Sequence, residues 1–372
     1  MRERSEPGQR LYSQAIRRTR PRRAANPLFG RPKALLLVAL ALVAVAVALV
    51  TRSAPQNATG SMGSEPRSNA SLASRAGSEP AGASVQPTPT PAAIRPLAVP
   101  TASPLTSTAA PPVRKPGTPD PDPSTDHVVV MDGDSGAILF ERNAHEPVAM
   151  ASLTKIMTAI LGIEYGNLTD RPRIDVNARD LSDSTLMGLE PWFDVSFQDL
   201  LYGLMLPSGN DAALAIGRYV SGSDEAFVTL MNQKAAWLGL RSTNFTNAHG
   251  LDDPNHYSTP YDMATLARYG MQYPTFRKLA AAKTYDVVGS NISYTIHNLN
   301  PVIGAYEGAD GVKIGYTDNA GRAMVATAVR DGHRVYVAFM RSEAGLAPDT
   351  TLLLDWAFNS HVWPTSGGSE QP

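Results

Sequence analysis

Between Ser53 and Ser124 the chain has no aromatic residue and fifteen of its thirty prolines. With abundant Ser, Thr, Ala and Gly around them, such a stretch cannot bury a core, so 51–124 reads as a disordered linker. A flexible chain of that length holds its ends about 50 Å apart, and further where the prolines keep it extended. Any folded unit must lie to one side of it. All four tryptophans, and all other aromatics except Tyr12 and Phe29, follow Thr125. The folded domain is therefore placed at 125–365, long enough for one enzyme-sized unit, with 366–372 as a tail.

What precedes the linker is of a different kind. Residues 1–33 carry ten Arg and Lys against Glu3 and Glu6, so this arm is at +8 while the whole chain is at −1. Alone, such an arm would suit nucleic acid. The next seventeen residues, 34–50, are an unbroken run of Ala, Val and Leu, at about the lower length limit for a membrane-spanning helix. Arg31 and Lys33 flank it on one side, which places the arm in the cytoplasm and everything after Thr51 outside. No nucleic-acid partner is expected. A cleaved signal peptide is the rival reading, but Thr51-Arg52-Ser53-Ala54-Pro55 is a poor cleavage site, so an uncleaved single-pass anchor is preferred.

Within the domain, Val128–Met131 and Ala137–Phe140 flank the turn sequence Asp132-Gly133-Asp134-Ser135-Gly136 and read as a hairpin. Apolar residues have helical spacing over 151–165 and 197–220. Three strands are expected at Gly311–Tyr316, Ala323–Val329 and Val335–Met340, with a helix at about Thr350–Phe358. Strands at both ends with helices between them imply an antiparallel sheet faced by helices, the α+β arrangement.

The chain has no cysteine, which leaves Ser, Thr, Lys or a carboxylate as nucleophile. Three short boxes are candidates. In Ser152-Leu153-Thr154-Lys155, positions i and i+3 share a helical face, so the lysine amine can reach the serine hydroxyl. A serine at the positive end of a helix dipole also favours a developing oxyanion. A capped helix with a solvated lysine gives the same four residues. Ser208-Gly209-Asn210 puts a hydroxyl beside an amide, though Ser242-Thr243-Asn244 has the same spacing and a plain turn would suffice. Lys313-Ile314-Gly315 offers a cation that lowers the pKa of a nearby amine, and a glycine that admits a ligand to the backbone. An exposed strand lysine is the alternative. The histidines His256 and His297 are too scattered to suggest metal ligands.

Taken in order, the three boxes resemble those of penicillin-recognising serine acyltransferases. Ala151–Thr158, Leu200–Ala213, and His249-Gly250-Leu251 followed by Tyr257-Ser258-Thr259 extend the likeness. Over about residues 125–345 the chain resembles the D-alanyl-D-alanine carboxypeptidases among the low-molecular-weight penicillin-binding proteins. The resemblance implies a β-lactamase/penicillin-binding-protein-like transpeptidase fold with a helical subdomain. It makes Ser152 the acylated nucleophile and Lys155 its base. Ser208 passes the proton to the departing D-alanine, and Asn210 holds the substrate backbone. Lys313 keeps the site electropositive, Gly315 lets substrate approach, and the N–H groups of Ser152 and Tyr316 form the oxyanion hole. Water hydrolyses the acyl-enzyme without metal or cofactor. The implied partners are peptidoglycan stem peptides ending in D-Ala-D-Ala, and β-lactams as acylating inhibitors. His249 and Gly250 are taken as structural.

One position departs from that pattern, because Ile314 replaces the hydroxyl residue usual in the third box. Losing its hydrogen bond to a substrate carboxylate costs about 1–3 kcal/mol, which bears on substrate affinity and preference more than on competence. Thr317 is a poor substitute, since alternation puts it on the face of Lys313. Two other functions share the boxes. A class A β-lactamase needs a glutamate in a Glu-x-x-Leu-Asn loop, and between Asn210 and Lys313 only Glu225 and Glu307 occur, neither in that context. A catalytically weak penicillin- or peptidoglycan-binding protein would find its best support in Ile314.

Overall fold

The computed structural model describes residues 105–364, apart from residue 183. The basic arm 1–33, the apolar run 34–50, most of the linker and the tail 366–372 lie outside the described residues. Strand β1 (Val113–Arg114) is followed by the hairpin β2 (His127–Asp132) and β3 (Ile138–Arg142). Next come a 3-10 turn (Ala151–Thr154) and helix α1 (Lys155–Tyr165). After a second 3-10 turn (Ala178–Asp180) lie α2 (Phe197–Met205), α3 (Asn210–Ser221) and α4 (Asp224–Leu238). Helices α5 (Pro260–Gly270) and α6 (Pro274–Ala281) precede a small hairpin, β4 (Thr284–Val288) and β5 (Ser293–His297). The chain ends with β6 (Ala309–Thr317), β7 (Gly321–Arg330), β8 (His333–Ser342), α7 (Leu346–Ser360) and β9 (His361–Val362).

Five strands form one antiparallel sheet in the order β3-β2-β8-β7-β6. All six residues of β2 are buried, and alternation explains why it is apolar along its length. Val129 and Met131 join the core shared with α1 to α6, while Val128 and Val130 join a second core with Leu353, Leu354 and Ala357 of α7. The sheet is thus covered on both faces, and the expected α+β arrangement is what forms. Strand β6 ends the sheet, so one backbone edge of it is free of sheet partners.

Three sequence expectations need correction. The apolar spacing over 197–220 is two helices, α2 and α3, because Pro207 and a left-handed Ser208 (φ 63°) break the chain between them. Ser152 stands in a 3-10 turn and Lys155 opens the α-helix that follows, so the serine precedes α1. The ordered chain also begins earlier than Thr125: β1 pairs with β9, and Pro112, Pro121 and Pro123 are buried. Lacking aromatics, 105–124 builds no core of its own and borrows that of the domain. The Trp356 indole N–H donates to Pro119 O at 2.8 Å, Arg114 lies over the Trp356 ring, and Ser124 Oγ donates to Asp349 at 2.6 Å.

At the far end of α1, buried Glu164 pairs with Lys234 of α4 at 2.7 Å and accepts hydrogen bonds from Tyr269 of α5 and from Tyr273. A buried pair of this kind is costly to break from one side, since the remaining charge is stranded. It fixes the helix whose other end carries Lys155.

Candidate active site

The site is built where the 3-10 turn and α1 meet the α2–α3 break, the loop around His249 and strand β6. Lys155 has no solvent exposure, and its amine has three neighbours at hydrogen-bond distance: Ser152 Oγ at 2.8 Å, Asn210 Oδ1 at 2.7 Å and His249 O at 2.5 Å. Two of these are carbonyl oxygens, which can only accept. A neutral amine has two N–H groups and one lone pair. With both N–H groups given to Asn210 and His249, the lone pair is left for the Ser152 hydroxyl proton.

That neutral state is favoured by the surroundings. Burial pushes the Lys155 pKa well below its ordinary 10.5, and the charge of Lys313 lowers it further, against a smaller opposing effect of Asp211. Lys313 is itself 1% exposed, and burial brings it down to about 7. Its ammonium donates to Ile314 O at 3.1 Å.

The other residues expected from the sequence are placed as follows. Asn210, at the start of α3, also donates to Ser184 Oγ at 3.0 Å, which fixes its amide orientation. Ser208 is 1% exposed, and its Oγ has no hydrogen-bond partner among the described residues. A buried hydroxyl without a partner is unusual, and this one is free to bond a ligand. Gly315 packs directly on the Ser152 turn: a Cβ there would lie 3.0 Å from both Ser152 N and Ala151 Cβ. Tyr316 follows on the same edge strand. The site therefore gathers Ser152, Lys155 and Asn210 by direct hydrogen bonds and sets Gly315 against them, with Lys313 coupled through its charge.

Ile314 points elsewhere. It is 4% exposed and belongs to the apolar core shared with α7, where a hydroxyl would be a buried polar group. Thr317 is held by other partners, donating to Asp252 at 2.8 Å and accepting from Ala320 N at 3.0 Å.

Several contributors were given no part in the chemistry by the sequence. Asp211 is fully buried at the start of α3 and accepts from the backbone N–H groups of Met187, Gly188 and Leu189 at 2.7–2.8 Å. With Asn210 N donating to Thr185 O, it straps the 184–189 loop to the Ser208 turn. Its signal was its place directly after Ser-x-Asn, at a helix N-terminus where a carboxylate is favourable. His249 contributes its carbonyl, and its ring is kept neutral: burial above all lowers its pKa to about 3. Ala151, just before Ser152, has φ 48°, a left-handed conformation costing about 1–2 kcal/mol for a residue with a side chain.

A model of the D-alanyl-D-alanine carboxypeptidase family matches residues 114–344, well over half of the chain. The chain belongs to the D-alanyl-D-alanine carboxypeptidase family. Among curated members of that family, D-alanyl-D-alanine carboxypeptidase DacF of Bacillus subtilis (strain 168) is 34% identical over 241 residues, covering 63% of this chain and 62% of the relative. The DacB2 carboxypeptidase of Mycobacterium tuberculosis is 33% identical over 247 residues, covering 64% of this chain and 84% of that protein. The chain thus spans less than two thirds of the Bacillus relative's length. Solved structures agree with the family. The Streptomyces K15 DD-transpeptidase superposes with a TM-score of 0.61 at 29% identity, over 65% of this chain and 99% of that one. Penicillin binding protein 5 from Haemophilus influenzae gives 0.61 at 34% identity, over 65% and 73%. The carboxypeptidase match begins at Arg114, in agreement with the early start of the ordered chain.

Replacing Asp211 with Ala removes the acceptor of four backbone N–H groups, those of Met187, Gly188 and Leu189 in the strapped loop and that of Ala212. A loss of about 3 kcal/mol is expected, read in a thermal melt as a midpoint lower by about 6–12 °C. An unchanged melting temperature would show that the strap contributes nothing.

Proposed function

We propose that this protein is a membrane-anchored serine carboxypeptidase that removes the terminal D-alanine from peptidoglycan pentapeptides through an acyl-enzyme on Ser152. The observation that carries the reading is the buried Lys155 amine, 2.8 Å from Ser152 Oγ, with both of its N–H groups engaged by carbonyl oxygens. The family match supports the substrate class. Residues 34–50 would hold the anchor and place the catalytic domain outside the cell; they lie outside the described residues, and among the described ones no helix is long and apolar enough to cross a membrane.

The reaction follows from the placement of groups. Lys155 takes the Ser152 proton as Oγ attacks the carbonyl of the penultimate D-alanine. The oxyanion is received by the N–H groups of Ser152 and Tyr316, and the closeness of Gly315 to Ser152 N supports that pairing. Lys313 attracts the terminal carboxylate, Asn210 holds the peptide backbone, and the substrate lies along the free edge of β6. Ser208 hands the proton on to the departing amine, a role open to a buried hydroxyl that has no protein partner. Water then cleaves the ester, with Lys155 again as base. Ile314 no longer favours a weak binding protein, because its buried side chain serves the α7 core.

Two outcomes test this. The protein should release free D-alanine from a peptide ending in D-Ala-D-Ala and be labelled covalently by fluorescent penicillin, and Ser152→Ala should abolish both. Labelling without D-alanine release would point to a different acyl donor, and absence of both would remove the reading.

The pH dependence carries a sign. Lys155 works only when neutral, so acylation should fall as pH drops through its lowered pKa while staying substantial well below 10.5. Because the Lys313 charge helps to depress that pKa, Lys313→Met should shift the acid limb of the profile to higher pH, besides weakening substrate binding. An acid limb that stays in place would show that the two amines are not coupled.

A further inference from the structure

The turn that presents Ser152 is braced by residues that have no part in the chemistry. Thr154 Oγ1 donates to Ala151 O at 2.8 Å and lies 2.7 Å from Nε2 of His256, which is 3% exposed. The other ring nitrogen settles the direction of the whole chain. His256 Nδ1 lies 2.9 Å from the backbone N of Thr246, and a backbone N–H can only donate. Nδ1 must therefore be the acceptor, so in the neutral ring Nε2 carries the proton and donates to Thr154. The threonine hydroxyl has a single proton, which is then free to go to Ala151 O.

The same carbonyl is enclosed from above. Gly250 has φ 95°, and a Cβ there would lie 2.0 Å from Ala151 O, so only glycine lets the 246–256 loop settle on the turn. That loop also receives Thr158 Oγ1 on Ala248 O at 2.6 Å and the Lys155 amine on His249 O. One loop thus holds both ends of the nucleophile–base pair: the peptide unit before Ser152 through His256 and Thr154, and the base through His249 O.

We propose that His256 and Thr154 are positioning residues for the acylation step, together holding the left-handed Ala151 peptide so that the Ser152 hydroxyl points at the Lys155 lone pair. The inference rests on the acyl-enzyme reading of Ser152. Neither side chain touches the reacting atoms. Their contribution is to the rate of bond formation and not to the affinity for the acyl donor. Small displacements at a nucleophile are enough to slow attack by about 100-fold.

The test uses the full chain and a chromogenic β-lactam followed by stopped flow, which separates the limiting acylation rate from the non-covalent affinity. Thr154→Val and His256→Leu should each lower the acylation rate by about 10- to 100-fold with the affinity unchanged. Thr154→Ser keeps the hydroxyl and should retain most of the rate. The double variant Thr154→Val/His256→Leu should be no slower than the slower single variant, because both break one chain of hydrogen bonds. Acylation of Thr154→Val within about twofold of the unaltered protein, equal losses in Thr154→Ser and Thr154→Val, or additive losses in the double variant would each overturn the proposal. The Thr154 pair decides the matter even if His256→Leu does not fold. Failure of the unaltered protein to acylate at all, with Ser152→Ala as the reference, would instead remove the acyl-enzyme reading.

Discussion

A charged lysine placed in the interior without a carboxylate partner is expensive, and the fold depends on that expense being met by neutralisation. Lys155 has no exposure and, among the described residues, no ion pair, yet its amine is fully engaged with oxygen atoms. The second buried lysine, Lys313, adds repulsion, which favours the neutral form of Lys155 further. By contrast Lys234, also buried, has Glu164 at 2.7 Å. Burial lowers its pKa and Glu164 opposes the shift. The same residue type is thus a structural cation in one helix and a candidate base in another, and the difference lies in whether a carboxylate or a carbonyl faces the amine.

The elements around Lys155 follow from that requirement. Asn210 reaches it because Pro207 and Ser208 break α2 from α3 and turn the start of α3 inward. The His249 carbonyl reaches it because Gly250 lets its loop press against Ala151. The edge strand β6 reaches Ser152 because Gly315 has no side chain to hold it off. Two glycines and one helix break therefore do as much as the charged groups to assemble the site.

Much of this was legible in the sequence, and the limits have physical causes. The five strands of the main sheet were readable because their apolar runs are bounded by turn residues, and the three boxes because, taken in order, they resemble those of a known family; singly, each had an ordinary structural explanation. The ordered segment 105–124 was not, since its composition speaks only of what it cannot bury alone and says nothing of Trp356 and Asp349 waiting to bind it. Ile314 looked like a lost hydroxyl because the resemblance sets a hydroxyl residue at that position, and a three-residue box does not show the α7 core that lies behind it. Thr154 and His256 were hidden for a similar reason: they stand 102 positions apart and meet only through the folded loop. A histidine read by itself carries no sign of which backbone N–H fixes its tautomer.

The central claim is that burial and the neighbouring Lys313 make the Lys155 amine beside Ser152 lose its proton well below the ordinary 10.5, and its ionisation can be measured directly. In protein labelled with 13C at the lysine Cε, the resonance absent from the Lys155→Met variant should titrate well below the ordinary 10.5. Titration of that resonance at 10.5 or above would mean a permanent ammonium next to Ser152, and would contradict the account.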